Sequence, residues 1–352
     1  MPHPEDCVYL NILNIIFADN FFKLFSLLSS GKSAKEIWNN LDSAQKRNIN
    51  PLKEWQRLKE NTVNFILKKS KEYPKLLREI PNAPFGLYVK GNIPEKMPLI
   101  AVVGTRKISS YGKLVTEKIV QELIQYNFAV VSGLAYGVDT MAHKSALENQ
   151  GKTIAILGAG INNIFPPINR KLAQQIAENG ALISEYSLQG HPFKPYFPWR
   201  NRIISGLCLA TIIVEAPEKS GALITARCAL EQNREVFAIP GSIFNKNSIG
   251  PHNLIKQGAK LVSQIEDVLE ELKFNYLLPA EKLKSPEKSS VIQFKNETEK
   301  NIYQIFSEEE KLAIDKIIEK SNLSPEEVLI TLTTLELKGL IKNIGGTYYS
   351  KI

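Results

Sequence analysis

The chain has 352 residues, 43% of them hydrophobic, and its 44 Lys and Arg against 36 Asp and Glu give a net charge of +8. This length suits two or three domains of a globular protein with a core. No apolar run reaches the ~18 residues of a membrane span, the N-terminus lacks the basic start of a secretory signal, and three cysteines without metal-site spacing fit a reducing cytoplasm.

Residues 1–69 are predicted to form a small helical domain. Apolar residues recur at helical spacing from Leu10 to Leu28, and Ser33 with Glu36 three positions later is a capping-box helix start. Residues 70–98 are punctuated by proline and predict an extended connector that contains one short strand, Gly86 to Lys90.

From residue 99 onward, short apolar runs alternate with amphipathic helical stretches. Such runs are typical of parallel strands buried on both faces. Their alternation with helices predicts βαβ units in an α/β, Rossmann-like, doubly wound and mostly parallel sheet over residues 70–272. The runs are 99–103, 128–131, 153–157, 181–184, 211–214 and 236–239.

The last part of the chain changes character twice. Residues 273–299, rich in Lys, Glu, Ser and Pro, predict a linker. Residues 300–352 predict a winged helix, with Ser324 capping a helix that Pro325 begins and with a glycine-turned hairpin after it. The tail holds 7 Lys against 8 acids, with no Lys or Arg in 325–337, so both DNA binding and protein binding are open for it.

Four predicted strands end in glycine-containing loops that lead into helices. Ligands of parallel sheets bind outside the carboxyl ends of the strands, and helix N-termini offer N–H groups and a favourable dipole to phosphate. The alternative for each loop is a tight turn without a ligand. The residues predicted here to contact phosphate are Arg106, Lys107, Ser132, Gly133, Lys219, Ser220 and Gly221.

Residues 191–202 combine four aromatic side chains with three cations. Stacking faces beside phosphate-binding cations are what single-stranded nucleic acid requires. Trp199 is expected to pack into the core. The predicted DNA contacts in this segment are Lys194, Phe197, Arg200 and Arg202.

Other chemistries find little support in the sequence. Residues 158–163 lack the third glycine of a dinucleotide fingerprint and follow the third run rather than the first. Asp139 and His143 stand four apart on one predicted helix, where we expect structural roles rather than a metal pair. No catalytic triad motif occurs, and the sequence predicts no catalytic residue, cofactor or metal.

Several motifs together resemble the DNA-processing protein A (DprA/Smf) family over about residues 70–272. They are Val103-Gly104-Thr105-Arg106-Lys107, Ser132-Gly133-Leu134-Ala135-Tyr136-Gly137, Phe197-Pro198-Trp199-Arg200-Asn201-Arg202, Lys219-Ser220-Gly221-Ala222 and Val236-Phe237-Ala238-Ile239-Pro240-Gly241. Tyr136 departs from the family pattern, where a basic residue is common, and so does Ala222, where serine is common.

The resemblance implies a non-enzymatic, dimeric, cytoplasmic recombination mediator. Such a protein binds and protects incoming single-stranded DNA and loads the RecA recombinase during natural transformation or recombination. On the family pattern, Arg106 holds phosphate beside the Ser132-Gly133 loop, while Lys194 and Phe197 contact phosphate and base.

Two rival functions stay open. One is a nucleotide-processing enzyme of the related phosphoribohydrolase superfamily, although the loop that begins at Lys219 is followed by no acid before Glu231. The other is a structural adaptor that works through its end domains.

Overall fold

The computed structural model describes residues 4–46, 49–94, 96–276, 297–306, 312–321, 323–337 and 340–351. The chain divides into two compact units, Met1–Pro286 and Glu287–Ile352. No single helix among the described residues is long and apolar enough to cross a membrane. Two consecutive helices, Glu5–Ile16 and Ala18–Ser29, are together long and apolar enough for a membrane span, but only by length and composition, and the angle between them is 75°.

The first unit opens with short helices, as the sequence predicts. Ser33 begins the third helix with the expected capping box, in which its hydroxyl accepts from the Glu36 N–H at 3.2 Å and the Glu36 carboxylate accepts from the Ser33 N–H at 2.7 Å. The helices are α1 (Pro4–Ile16), α2 (Phe21–Ser29), α3 (Ala34–Asn39), α4 (Ser43–Lys46) and α5 (Pro51–Glu60).

The expectation that helices continue to residue 69 is wrong. Residues Val63–Leu67 form the strand β1, which pairs antiparallel with β2 (Gly86–Gly91). Val63 and Leu67 are buried while Asn64 is exposed. The segment contains β-branched and aromatic residues, which favour a strand at the partly buried edge of a sheet. The N-terminal segment therefore supplies a strand to the main sheet.

The central sheet has nine strands in the order β1-β2-β6-β5-β4-β3-β7-β8-β9. The strands from β3 to β9 pair in parallel, and the six predicted runs are confirmed to within one residue. The strands after β2 are β3 (Leu99–Val103), β4 (Ala129–Ser132), β5 (Thr153–Leu157), β6 (Ala181–Ser184), β7 (Ala210–Ile213), β8 (Glu235–Ala238) and β9 (Lys260–Leu261).

Helices cover both faces of this sheet. In β3, Ala101 and Val103 face one apolar layer while Ile100 and Val102 face the other, so the strand is buried on both sides as predicted. The helices are α6 (Lys75–Glu79), α7 (Ser110–Gln125), α8 (Val138–Glu148), α9 (Arg170–Asn179), α10 (Tyr196–Gly206), α11 (Gly221–Glu231), α12 (Ile249–Lys256) and α13 (Ile265–Tyr276).

The second unit has the helices and hairpin of the predicted winged helix. Its elements are α14 (Glu297–Ile305), β10 (Leu312–Ala313), α15 (Ile314–Ser321), α16 (Pro325–Leu337), β11 (Ile341–Gly345) and β12 (Tyr348–Lys351). Ser324 caps α16 as predicted, since its hydroxyl accepts from the Glu327 N–H at 3.3 Å. Of the predicted linker 273–299, residues 277–296 lie outside the described residues, and α13 continues to Tyr276.

Candidate nucleic-acid interface

A cleft of about 420 Å³ opens at the carboxyl edge of the sheet, where the loops after β3, β4 and β7 meet α10 and α11. The chain builds β3 to β6 in one direction from the sheet centre and then returns to add β7 beside β3. The cleft therefore lies at the topological switch point, where doubly wound sheets bind their ligands.

Cationic side chains surround this cleft. Arg106, Lys107 and Lys219 line it and are exposed, and half-buried Phe197 forms part of its wall. Lys194 is exposed in the segment just before α10 and is not among the lining residues. Apart from Lys194, the cleft brings together the predicted exposed cations and the predicted stacking residue.

The N-terminus of α11 is open at the cleft. Ser220 caps it, since its hydroxyl accepts from the Ala222 N–H at 3.3 Å. A Cβ at Gly221 would meet no atom within 4 Å, so a ligand has room to approach the backbone there. Ala222, which stands where serine is common in the family, is buried and does not obstruct this opening.

The loop after β4 is already occupied by the protein's own carboxyl group, which corrects the prediction for Ser132 and Gly133. An oxygen of Asp139 accepts from the N–H groups of Gly133 at 3.1 Å and Ala135 at 3.3 Å. The Ser132 hydroxyl donates to the Val102 carbonyl at 2.8 Å and is fully buried. This loop is thus a tight turn without a ligand.

Side chains of the protein also occupy the loops after β3 and β5, a carboxylate in the first and an aromatic ring in the second. The buried Glu215 carboxylate, just past β7, accepts from the Ser109 N–H at 2.9 Å and the Ser109 hydroxyl at 2.5 Å. After β5, a Cβ at Gly158 would lie 2.8 Å from the Phe197 ring, so that glycine makes room for an aromatic side chain. Gly221 before α11, by contrast, has open space beside it, whereas Gly133 and Gly158 face side chains of the protein.

Arg200 forms the floor of the cleft rather than its rim. It is 5% exposed, and its Nη1 donates to the carbonyls of Gly133 at 2.8 Å and of Ile156. Burial lowers the pKa of its guanidinium to about 10, against the opposing attraction of Asp139. Burial likewise raises the pKa of Asp139, which Arg200 counteracts.

The prediction of Arg202 as a DNA contact is wrong, because each of its nitrogens donates inside the protein. Its guanidinium bonds to Glu185 Oε1 at 2.6 Å, to the Asn82 carbonyl at 2.9 Å and to the Trp199 carbonyl at 3.3 Å. It also lies 4.3 Å from the centroid of the Trp199 ring. Trp199 packs against the rings of Phe22 and Phe25 in α2, as its expected packing role requires.

Asp139 and His143 have the structural roles predicted for them. His143 is fully buried and its Nδ1 lies 2.7 Å from the Thr153 hydroxyl. Within the residues that the structure describes, no cluster of His, Cys, Asp or Glu could hold a metal.

Sequence reasoning missed Thr225 and Glu215. Thr225 is 2% exposed and lines the cleft one turn into α11. Glu215 joins the loops around 109, 215 and 245 through its hydrogen bonds. The signal for Glu215 was an acid directly after a buried strand, whereas Thr225 has no signal apart from its place on a helix that the fold brings to the cleft.

Comparisons with known proteins agree with this fold. Residues 64–273 match the family described as DNA recombination-mediator protein A, and residues 288–347 match the DprA winged helix domain. Protein Smf from Synechocystis is 35% identical over 337 residues, which cover 87% of this chain and 85% of that protein. DNA processing protein DprA from Streptococcus pneumoniae is 48% identical over 203 residues, covering 57% of this chain and 72% of that protein.

Two solved structures have the same central fold. The X-ray structure of DprA from S. pneumoniae has a TM-score of 0.60 at 43% identity and covers 65% of this chain and 80% of its own. The second structure is of DNA processing protein A from Helicobacter pylori and concerns the single-stranded DNA binding mode of that protein. It has a TM-score of 0.55 at 30% identity and covers 61% of this chain and 97% of its own. The chain therefore belongs to the DNA recombination-mediator protein A (DprA/Smf) family.

Proposed function

We propose that this protein binds single-stranded DNA across the cleft at the switch point of its sheet. The observation that carries the proposal is the grouping of Arg106, Lys107 and Lys219 around a cleft with Phe197 in its wall and the open start of α11 at its side. Phosphates meet the cations and the helix N-terminus, while bases stack on the aromatic ring. The single-stranded DNA binding mode of the H. pylori relative supports the same ligand.

The proposed contact set follows the geometry. Arg106, Lys107, Lys219, Ser220 and Gly221 hold phosphate in the cleft, with Arg200 contributing positive charge from below. Lys194, just before α10, contacts phosphate, and Phe197, in the first turn of α10, contacts a base.

The cellular role we propose is that of a recombination mediator. The family resemblance supports a cytoplasmic homodimer that protects incoming DNA and loads RecA, without a catalytic step of its own.

Asp139 is the only carboxylate that lines the cleft in the described part of the chain, and two backbone N–H groups bind it. Release of free base from a nucleoside monophosphate would instead support the phosphoribohydrolase alternative.

The test is a titration of a fluorescent oligothymidylate with the wild type, the double variant Arg106→Ala/Lys219→Ala and the control Lys152→Ala. Lys152 is exposed and precedes β5, at the opposite edge of the sheet. We expect the double variant to bind at least roughly tenfold more weakly, since hydrogen bonds to charged groups are worth about 1.5–3 kcal/mol each. Equal affinity of all three proteins would refute the cleft as the binding site.

A further inference from the structure

The loop after β8 presents an apolar tip beside the cleft. Phe244 is 92% exposed and Ile243 is 79% exposed, the highest values among the large apolar side chains of the described residues. A buried Phe side chain is one of the larger contributions to folding, so this ring at the tip contributes little to the stability of the chain by itself.

The loop is held firmly at its base. The turn is closed by the Asn245 N–H, which donates to the Ser242 carbonyl at 3.0 Å. The Asn247 side chain donates to the Lys107 carbonyl at 3.0 Å, and the Tyr111 hydroxyl donates to the Pro240 carbonyl at 2.6 Å. The tip is therefore fixed to the same loop that carries Arg106 and Lys107 at the rim of the cleft.

The surroundings of the tip match single-stranded nucleic acid. β8 is the neighbour of β7, and adjacent strands lie about 5 Å apart, so the tip continues the rim of the cleft along the same sheet edge. Exposed Lys107 and Lys246 flank it, and half-exposed Tyr111 adds a second ring. Aromatic faces interleaved with cations are the composition that a single strand needs.

Resting on the proposed binding of single-stranded DNA, we propose that Phe244 and Ile243 form a second base-stacking station that extends the DNA track from the cleft towards β8. The occupant is the continuation of the same strand, with its phosphates beside Lys107 and Lys246. The ring at the tip stacks on a base of any sequence, because every base offers a π face.

The test compares Phe244→Ala, Phe244→Trp and the control Leu52→Ala in the full chain. Leu52 is 71% exposed on α5, far along the chain from the sheet edge in question. The probes are an oligothymidylate of about 20 nucleotides, long enough to extend beyond one cleft, and an abasic oligomer of the same length.

Phe244→Ala should weaken oligothymidylate binding by about fivefold or more, the effect of losing one stacked base, and leave binding of the abasic oligomer unchanged. Phe244→Trp should retain affinity and show fluorescence quenching on DNA binding. An equal loss on both probes, or no loss on either, overturns the stacking station. A change in oligomeric state with DNA affinity intact overturns it too, and assigns the tip to contact between copies of the chain.

The same titration separates this inference from the cleft proposal. If Arg106→Ala/Lys219→Ala loses affinity while Phe244→Ala does not, only the stacking station fails. If the double variant binds as the wild type does, the cleft itself fails.

Discussion

Single side chains in this protein decide which loops are free to meet a ligand. Asp139 and Glu215 place carboxyl oxygens on backbone N–H groups of the loops after β4 and β3. Gly221 has open space around it, whereas a Cβ at Gly133 would lie 2.5 Å from Arg200 Nη2 and 2.7 Å from Asp139 Oδ2. Two glycines in similar sequence contexts therefore have different physical reasons to be glycine.

Alanine at these two glycines should separate stability from binding. Gly133→Ala is expected to destabilise the fold by about 1–3 kcal/mol, because the added methyl overpacks a buried site. Gly221→Ala should leave stability equal or up to about 1 kcal/mol higher, yet lower DNA affinity where phosphate approaches the backbone. Urea unfolding and oligothymidylate titration of both variants check this. Normal DNA binding by Gly221→Ala would contradict close approach at α11.

His143 gives the fold a dependence on pH. Burial lowers the pKa of His143 to about 3 from its ordinary 6.5, with Arg200 adding to the effect. Between these values the unfolded chain binds a proton that the folded chain does not, so this residue's contribution to stability falls as pH falls, by up to about 1.4 kcal/mol per pH unit.

Urea unfolding at about pH 7 and about pH 4 measures this slope. His143→Gln should flatten it while keeping a hydrogen-bonding group near Thr153. Burial raises the pKa of Asp139, so the contribution of Asp139 to the free energy of unfolding has the opposite pH dependence. This contribution is present at low pH and is lost as the pH rises through the pKa of the folded state. A slope unchanged in His143→Gln would assign the acid sensitivity elsewhere.

At the scale of elements, α2 joins the N-terminal helices to the sheet through aromatic rings. The ring centroid of Phe21 lies 4.9 Å from that of Tyr186 and 5.9 Å from that of Tyr196, and the Tyr196 hydroxyl donates to the Ala18 carbonyl at 2.7 Å. Tyr196 begins α10, which also carries Phe197 and Arg200. The N-terminal helices thus support the helix that forms one side of the cleft.

Phe21→Ala should therefore destabilise the whole first unit. Phe21 is 6% exposed, and removal of a buried Phe side chain costs about 3–5 kcal/mol. Phe22→Ala is the matched control, since Phe22 is 41% exposed and should cost about half as much or less. A single cooperative unfolding transition that moves to lower urea is expected. An early separate transition would instead support an independent domain ending at residue 69.

At the scale of the whole molecule, the cations proposed to bind DNA belong to the first unit. The helix α16 of the second unit contains no Lys or Arg and carries Glu326, Glu327 and Glu336. A salt-dependent contact with duplex phosphates requires basic side chains. This composition favours a protein contact over a DNA contact for α16.

A chain that ends at residue 276 should thus bind single-stranded DNA as the full chain does. With Arg106, Lys107, Lys194 and Lys219 on phosphates, log K should fall against log salt with a slope near −3, at about −0.7 per phosphate of a single strand. Titration at several salt concentrations measures it for both lengths. A shallower slope after truncation would show that the second unit supplies phosphate contacts.

The sequence by itself determined the strand runs, the capped helices at Ser33 and Ser324, and the sheet edge at which the loops gather. These follow from local patterns, because burial on both faces and capping leave signatures within a few residues. It did not distinguish Arg106 at the rim from Arg200 on the floor and Arg202 in the interior. Only the tertiary structure decided that, because Gly133, a partner of Arg200, and Asn82, a partner of Arg202, come from distant segments of the chain.

The tertiary structure also decided which loops face outward with free backbone groups. A glycine-containing loop after a parallel strand has the same kind of sequence in both cases, whether an internal carboxyl group binds its N–H groups or none does. Asp139 is six residues from Gly133, but Glu215 reaches Ser109 across 106 residues of chain. The filling by Glu215 depends on long-range packing, which no local pattern encodes.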